Sequence, residues 1–384
     1  MEQLKDGIQK AKNNLHVWVI LFFALFLLFA FLIAPATLSN ISYEHGEALV
    51  NKAEEKIQEI TSAQKNIAFD IEDYDARMLA LANNPAPAPV VKKVTQSDGS
   101  IVEEIVAPPT KTAWPTDTVS PKAGAILPFH RVIAYYGNLY SKKMGALGEY
   151  PEAEMFSRLQ AEVLKWQLAD PTTPVMPALH YIAVVAQGQP GKDSAYRFRM
   201  PDTEIEKVLA MAEKINAIVF LDIQVGLSDL QSEIPYFEKY LKMPNVHLGI
   251  DPEFSMKGGQ RPGSVIGTFD AIDINYAANY LAQLVQANDL PPKILIVHRF
   301  TEKMVTNYKE IKPLPEVQVV MHADGWGHHA RKFNTYKFFV QRQPVQFAGF
   351  KIFYKNDLKE EGSRLVTPDD LLKLHPRPIY VQYQ

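Results

Sequence analysis

The chain of 384 residues carries 40 Lys and Arg against 43 Asp and Glu, a formal charge of -3, and 47% of its residues are hydrophobic. That mixture builds a globular core, and no Lys/Arg stripe interleaved with aromatics is present to hold nucleic acid. With no cysteine in the chain, disulfides, thiolate zinc sites, iron-sulfur clusters and a lipid-modified N-terminal cysteine are excluded.

In chain order, a short N-terminus (1–16) containing Lys5, Lys10 and Lys12 precedes the apolar run VWVILFFALFLLFAFLIA at 17–34. As a helix this run spans about 27 Å, enough to cross a membrane. Ala34-Pro35-Ala36 imitates a cleavage signal, but the run exceeds the apolar region of an ordinary signal peptide, so an uncleaved anchor is expected. No Lys or Arg follows until Lys52. The positive-inside bias then predicts a single-pass protein of the cell membrane, with the N-terminus cytoplasmic and everything from Asn40 outside.

Residues 41–82 lack proline and place Ile57, Ile60, Ile67, Ile71, Tyr74, Met78 and Leu81 at three-four spacing. Two readings stand: a coiled-coil stalk that would make a homo-oligomer, or an amphipathic helix packed on its own domain. Straight, it would measure about 60 Å. Residues 84–125 read as a Pro-rich linker through PAPAP and APP, and inside it two β-prone runs flank Asp98-Gly99, a hairpin signal.

From residue 126 to 384 the pattern becomes short apolar runs alternating with helical stretches. The predicted strands are 131–138, 177–185, 217–225, 245–254, 293–300, 317–324, 347–356 and 378–383. Eight βα units in a region of this length predict an α/β fold, a (β/α)8 TIM barrel. An open doubly wound sheet is the competing architecture, but no glycine-rich phosphate fingerprint follows the first strand, and no cofactor is expected.

The predicted strand ends are polar: Tyr136 and Asn138, Asp222 and Gln224, Asp251 and Glu253, His298, His322 and Asp324, and Lys351. Barrel enzymes build their sites from side chains converging at that face. In HLGIDPEF, Asp251 and Glu253 lie two apart, which on a strand points them the same way. Their repulsion plus burial would raise one pKa, leaving an acid beside an ionised carboxylate, as glycosidic cleavage requires. Glu253 is the candidate general acid, with Asp251 assisting and Asp222 or Asp324 supplying another carboxylate. The alternative is that Pro252 bends the chain and both acids bond to loop amides.

In MHADGWGHH (321–329), His322, Asp324, His328 and His329 offer a metal set, completed by Asp251, Glu253 and His298. The spacing matches no metal signature, so no metal is assigned, although a metal-dependent hydrolase remains an alternative. Trp326 between glycines reads either as a platform for a sugar ring or as packing under its loop.

The segments RVIAYYGN, MGALGEYP, FLDIQVG, LGIDPEFSMK, PGSVIG, KILIVHRF, MHADGWG and FKIFYKND resemble a family of bacterial secreted or membrane-anchored proteins with a glycoside-hydrolase-like TIM barrel, over about 126–384. The resemblance implies the fold and brings no mechanism. IDPE is also similar to the strand-four Asp-x-Glu of chitinase-like and lysozyme-like barrels, which implies Glu253 as acid and Asp251 as assistant. The longer chitinase pattern has another Asp where Gly249 stands here. The sequence thus leads to a membrane-anchored, glycoside-hydrolase-like protein acting on a cell-envelope or cell-wall polysaccharide, with a non-catalytic glycan- or protein-binding module as the alternative.

Overall fold

The computed structural model describes residues 69–85, 90–96, 101–106, 112–116 and 119–384. The expected cytoplasmic N-terminus, the anchor at 17–34 and stalk residues 41–68 lie outside them, as does the Asp98-Gly99 turn. Among the described residues no helix is long and apolar enough to cross a membrane.

Eight parallel strands form the barrel: β1 (Arg131–Gly137), β2 (Val175–Ala186), β3 (Ile218–Ile223), β4 (Val246–Ile250), β5 (Lys293–Arg299), β6 (Val317–Ala323), β7 (Phe347–Ile352) and β8 (Tyr380–Tyr383). Each pairs with the next in chain order, and β8 pairs with β1 to close the ring. Every strand except the ends of β2 is buried throughout. That burial explains why these segments read as continuous apolar runs rather than alternating ones.

Helix α1 (Ile71–Ala82) precedes the barrel. Around it lie α2 (Glu152–Ala169), α3 (Asp202–Glu213), α4 (Ala271–Ala287) and α5 (His329–Tyr336). Pro151 and Pro201 stand at the N-caps of α2 and α3, and Asp270 with Asp273 forms a capping box for α4. A full helix after every strand, as eight repeated βα units would give, is not found. The β3–β4 connection is three short turns interrupted by Pro235, and β5 is followed by two 3-10 turns with a two-residue strand, Val305–Thr306, between them. There Asn307 is left-handed (φ 55), and Pro313 and Pro315 follow with no apolar stripe for a helix to bury.

Of the two readings of the helix before the barrel, a stalk or an amphipathic helix packed on its own domain, the described part fits the second. Helix α1, expected to end the stalk, lies in the same compact unit as the barrel. It buries Tyr74 and Met78 against Leu127, Val132, Phe347, Ile379 and Tyr380 at the N-terminal ends of the strands. Asn83 donates to the carbonyls of Leu372 (3.4 Å) and Leu374 (2.7 Å), and Arg377 N donates to Leu81 O at 2.7 Å. Part of the predicted linker is also seated: Trp114 is buried and its indole donates to Gln341 O at 2.9 Å. Ile126 N and Leu127 N both donate to Gln318 Oε1 at 3.1 Å. A closed barrel exposes apolar side chains at its lower end, and these segments plug it. Within the linker, Val90–Thr95 and Ile101–Val106 pair antiparallel, Val90 opposite Val106.

Candidate active site

Inside the barrel, an apolar lower layer (Ala134, Ala178, Phe220, Ile296, Val320) gives way upward to a polar one. Strand register puts Tyr136 beside His180, and His298 beside His322. His180 of β2, Asp222 of β3, His298 of β5 and His322 of β6 are wholly buried. Two glycines make room for them. A Cβ at Gly249 of β4 would lie 2.4 Å from Asp222 Oδ1 and 2.5 Å from His180 Nε2, and one at Gly349 of β7 would lie 2.6 Å from His322 Nδ1. The aspartate that the chitinase pattern would place at 249 therefore has no space here, because Asp222 fills it from the neighbouring strand.

These groups form one charged network. Tyr136 OH donates to Asp222 Oδ2 at 2.9 Å, and Asp222 Oδ1 lies 3.4 Å from His180 Nε2 and 3.3 Å from His298 Nε2. His298 Nδ1 is 2.8 Å from Asp324 Oδ2, and Lys351 Nζ pairs with Asp324 Oδ1 at 2.9 Å. Behind His180, Nδ1 lies 2.6 Å from Tyr380 OH, which also accepts from Gln382 Nε2 at 2.8 Å. Burial acts against the charge on His298, but Asp222 and Asp324 outweigh it and push its pKa up to about 10. Burial likewise opposes ionisation of both acids; the charge on His298 for Asp222, and Lys351 with His298 for Asp324, hold them well below the usual carboxylate range. Burial lowers His180 to about 4 and keeps His322 neutral.

Above this floor opens a cleft of about 520 Å³. Its polar lining includes Tyr136, Gln224, Asp251, Glu253, Asp324 and Lys351, and Phe254, Phe300, Trp326 and Phe353 provide aromatic surface. Strand β4 ends at Ile250, and Asp251 caps a 3-10 turn, Pro252–Phe254, with Oδ1 accepting from Glu253 N at 3.0 Å. The two acids thus face one cleft through a capped turn, not through strand alternation. Asp251 does bond a loop amide; Glu253 does not. Its carboxyl makes no hydrogen bond or ion pair among the described residues and lines the cleft. Burial first, then repulsion from Asp324, raises Glu253 to about 7 against the pull of Lys351 and His298. Asp251 is raised well above the carboxylate range, by burial and by Glu253, Asp222 and Asp324 against His298. It also lies 3.4 Å from Gln224 Nε2.

The predicted residues divide into groups. Glu253, Asp251, Asp324, Gln224, Tyr136, Lys351 and Trp326 line the cleft, with Trp326 48% exposed. Asp222, His298 and His322 lie in the floor beneath it and support it rather than facing the opening. Asn138 is a correction: it stays out of the lining, and its side chain donates to Ile182 O (3.0 Å) and accepts from Tyr140 N (2.8 Å), fixing the loop after β1. His180, Tyr380 and Gln382 were missed. His180 sits mid-strand inside an apolar run; a histidine with no solvent outlet was the available signal.

Donor atoms of His180, Asp222 and His298, and separately of His298, His322 and Asp324, lie within 4.8 Å of one another. The loop histidines that the metal alternative would add to them lie elsewhere. His328 caps α5 by accepting from Ala330 N at 3.2 Å, and its ring packs on His329 with centroids 3.9 Å apart.

No family model matches the chain, and no curated protein matches it. Among solved structures it is similar to a ruminal GH26 endo-beta-1,4-mannanase, at 11% identity and a TM-score of 0.30, over 66% of this chain and 58% of that one. The chain spans less than two thirds of that enzyme's length. The strand pairings themselves define the TIM barrel. Of the family resemblance, the barrel stands.

Proposed function

We propose that the cleft is the active site of a glycoside-hydrolase-like enzyme in which Glu253 is the general acid. The observation that supports this best is the carboxyl of Glu253, unpaired, open to the cleft and raised to about 7. A group with that pKa can hold a proton at neutral pH and release it to a leaving glycosidic oxygen. Asp324, kept ionised by Lys351 and His298, is the carboxylate that stabilises positive charge on the sugar. Asp251 orients the turn that carries Glu253, and Trp326 offers a ring face for stacking. In this reading residues 17–34 anchor the chain and the substrate is a cell-envelope polysaccharide outside the membrane.

The test is incubation of the protein with envelope glycans, comparing wild type with Glu253→Gln. Soluble fragments from wild type alone are expected. Equal binding by both proteins with no fragments from either would sink the proposal and point to a glycan-binding module.

A further inference from the structure

We propose that His180 Nε2, Asp222 Oδ1 and His298 Nε2 form a binding site for one divalent transition-metal cation beneath the cleft floor. This goes beyond the glycosidic reading and does not depend on it.

The three residues come from β2, β3 and β5 and are fully buried, yet among the described residues none of the three atoms has a hydrogen-bond partner. Buried polar atoms are rarely left this way, and three converging on one point call for an occupant. Spacing indicates which kind. Asp222 Oδ1 is 3.4 Å from His180 Nε2 and 3.3 Å from His298 Nε2. An imidazolium bound to a carboxylate closes to about 2.7–2.9 Å, as His298 does on its other side with Asp324 at 2.8 Å. Ligands held about 2.0–2.1 Å from a tetrahedral ion instead stand about 3.3–3.4 Å apart.

Each outer atom is also held. His180 Nδ1 faces Tyr380 OH at 2.6 Å, His298 Nδ1 faces Asp324 Oδ2 at 2.8 Å, and Asp222 Oδ2 accepts from Tyr136 OH at 2.9 Å. His298 Nδ1–H donates outward to Asp324, which turns its Nε2 inward, and the contact of His180 Nδ1 with Tyr380 OH does the same for His180 in its Nδ1–H tautomer, the arrangement that orients metal-binding histidines. The second donor cluster lacks this. Among the described residues neither nitrogen of His322 has a hydrogen-bond partner to orient it, and Asp324 is drawn into ion pairs with His298 through Oδ2 and with Lys351 through Oδ1. Strand β4, between β3 and β5, contributes Gly249, and a Cβ there would intrude within 2.5 Å of two of the three ligand residues. Two imidazoles and a carboxylate suit Zn²⁺ or a neighbouring divalent ion.

The test uses the full chain, stripped with a chelator and titrated with Co²⁺. One equivalent should bind with visible d–d absorption that Zn²⁺ then bleaches. Asp222→Asn should weaken uptake at least tenfold, and Tyr380→Phe, which keeps the three ligands, by about 10–100-fold. His328→Ala, which breaks the surface histidine pair, should leave uptake unchanged. The proposal is overturned if stripped chain that is folded by circular dichroism takes up neither ion. It is equally overturned if uptake survives Asp222→Asn or is lost in His328→Ala. Should Asp222→Asn not fold, unchanged uptake in Tyr380→Phe overturns it instead.

Discussion

Lys351 reaches Asp324 at 2.9 Å across the floor of the cleft, with both side chains almost fully buried. Removing the ammonium leaves a buried carboxylate supported by His298 alone. Lys351→Met should therefore lower stability by about 3 kcal/mol, measured by urea unfolding. Because Lys351 also pulls the Glu253 pKa down, the alkaline limb of activity should move to higher pH in this variant.

Glu253 carries a pH dependence of its own. Its pKa is pushed from 4.5 up to about 7, so the folded chain resists ionisation that the unfolded chain allows. Stability should fall as pH rises between those values, by about 2–3 kcal/mol at the upper end. Glu253→Gln removes this penalty. The variant should match wild type at pH 4 and exceed it by about that amount at pH 8, while turnover drops at least a hundredfold. A wild-type chain whose melting temperature stays flat across this window would contradict the assignment.

Gly249→Ala places a methyl within 2.5 Å of Asp222 and His180. Neither neighbour can retreat, since Asp222 is held by Tyr136 and His180 lies against Tyr380. A loss of about 1–3 kcal/mol is expected in thermal or denaturant unfolding.

Met78→Ala should cost about 2–5 kcal/mol, because helix α1 plugs the base of the barrel. The same packing predicts that a chain starting at residue 126 will be insoluble where one starting at 69 is soluble. Comparable yields from both would show that the helix is dispensable.

Trp326 is 48% exposed at the cleft, so Trp326→Ala should change stability by less than about 0.5 kcal/mol. A stacking role predicts that KM for an oligosaccharide rises about three- to tenfold. An unchanged KM would remove Trp326 from the substrate site.

The barrel was legible because strands buried on both faces leave uninterrupted apolar runs: seven of the eight expected segments contain an observed strand, and the other, 177–185, lies within one. The helices were less so: around Pro235 and Asn307 the chain makes short turns that a repeating βα pattern does not anticipate. At the site, polar residues near strand ends pointed to the cleft, but Asp251 and Glu253 reach it through the turn at Pro252 rather than through strand alternation. His180 escaped because the polar floor lies lower in the barrel than the strand ends. Asn138 misled because a side chain that bonds its own loop looks, in sequence, the same as one that faces a ligand.

His180 and Tyr380, whose side chains meet at 2.6 Å, are separated by 200 positions along the chain, so the floor joins the second strand to the eighth. During synthesis the earlier strands emerge first and wait for a partner that has not yet been made. Ring closure and assembly of the charged floor are therefore a single late event, with the slow kinetics that distant pairings impose. An incomplete ring lacks the contact from Tyr380 that orients His180, so acquisition of the finished site coincides with completion of the fold.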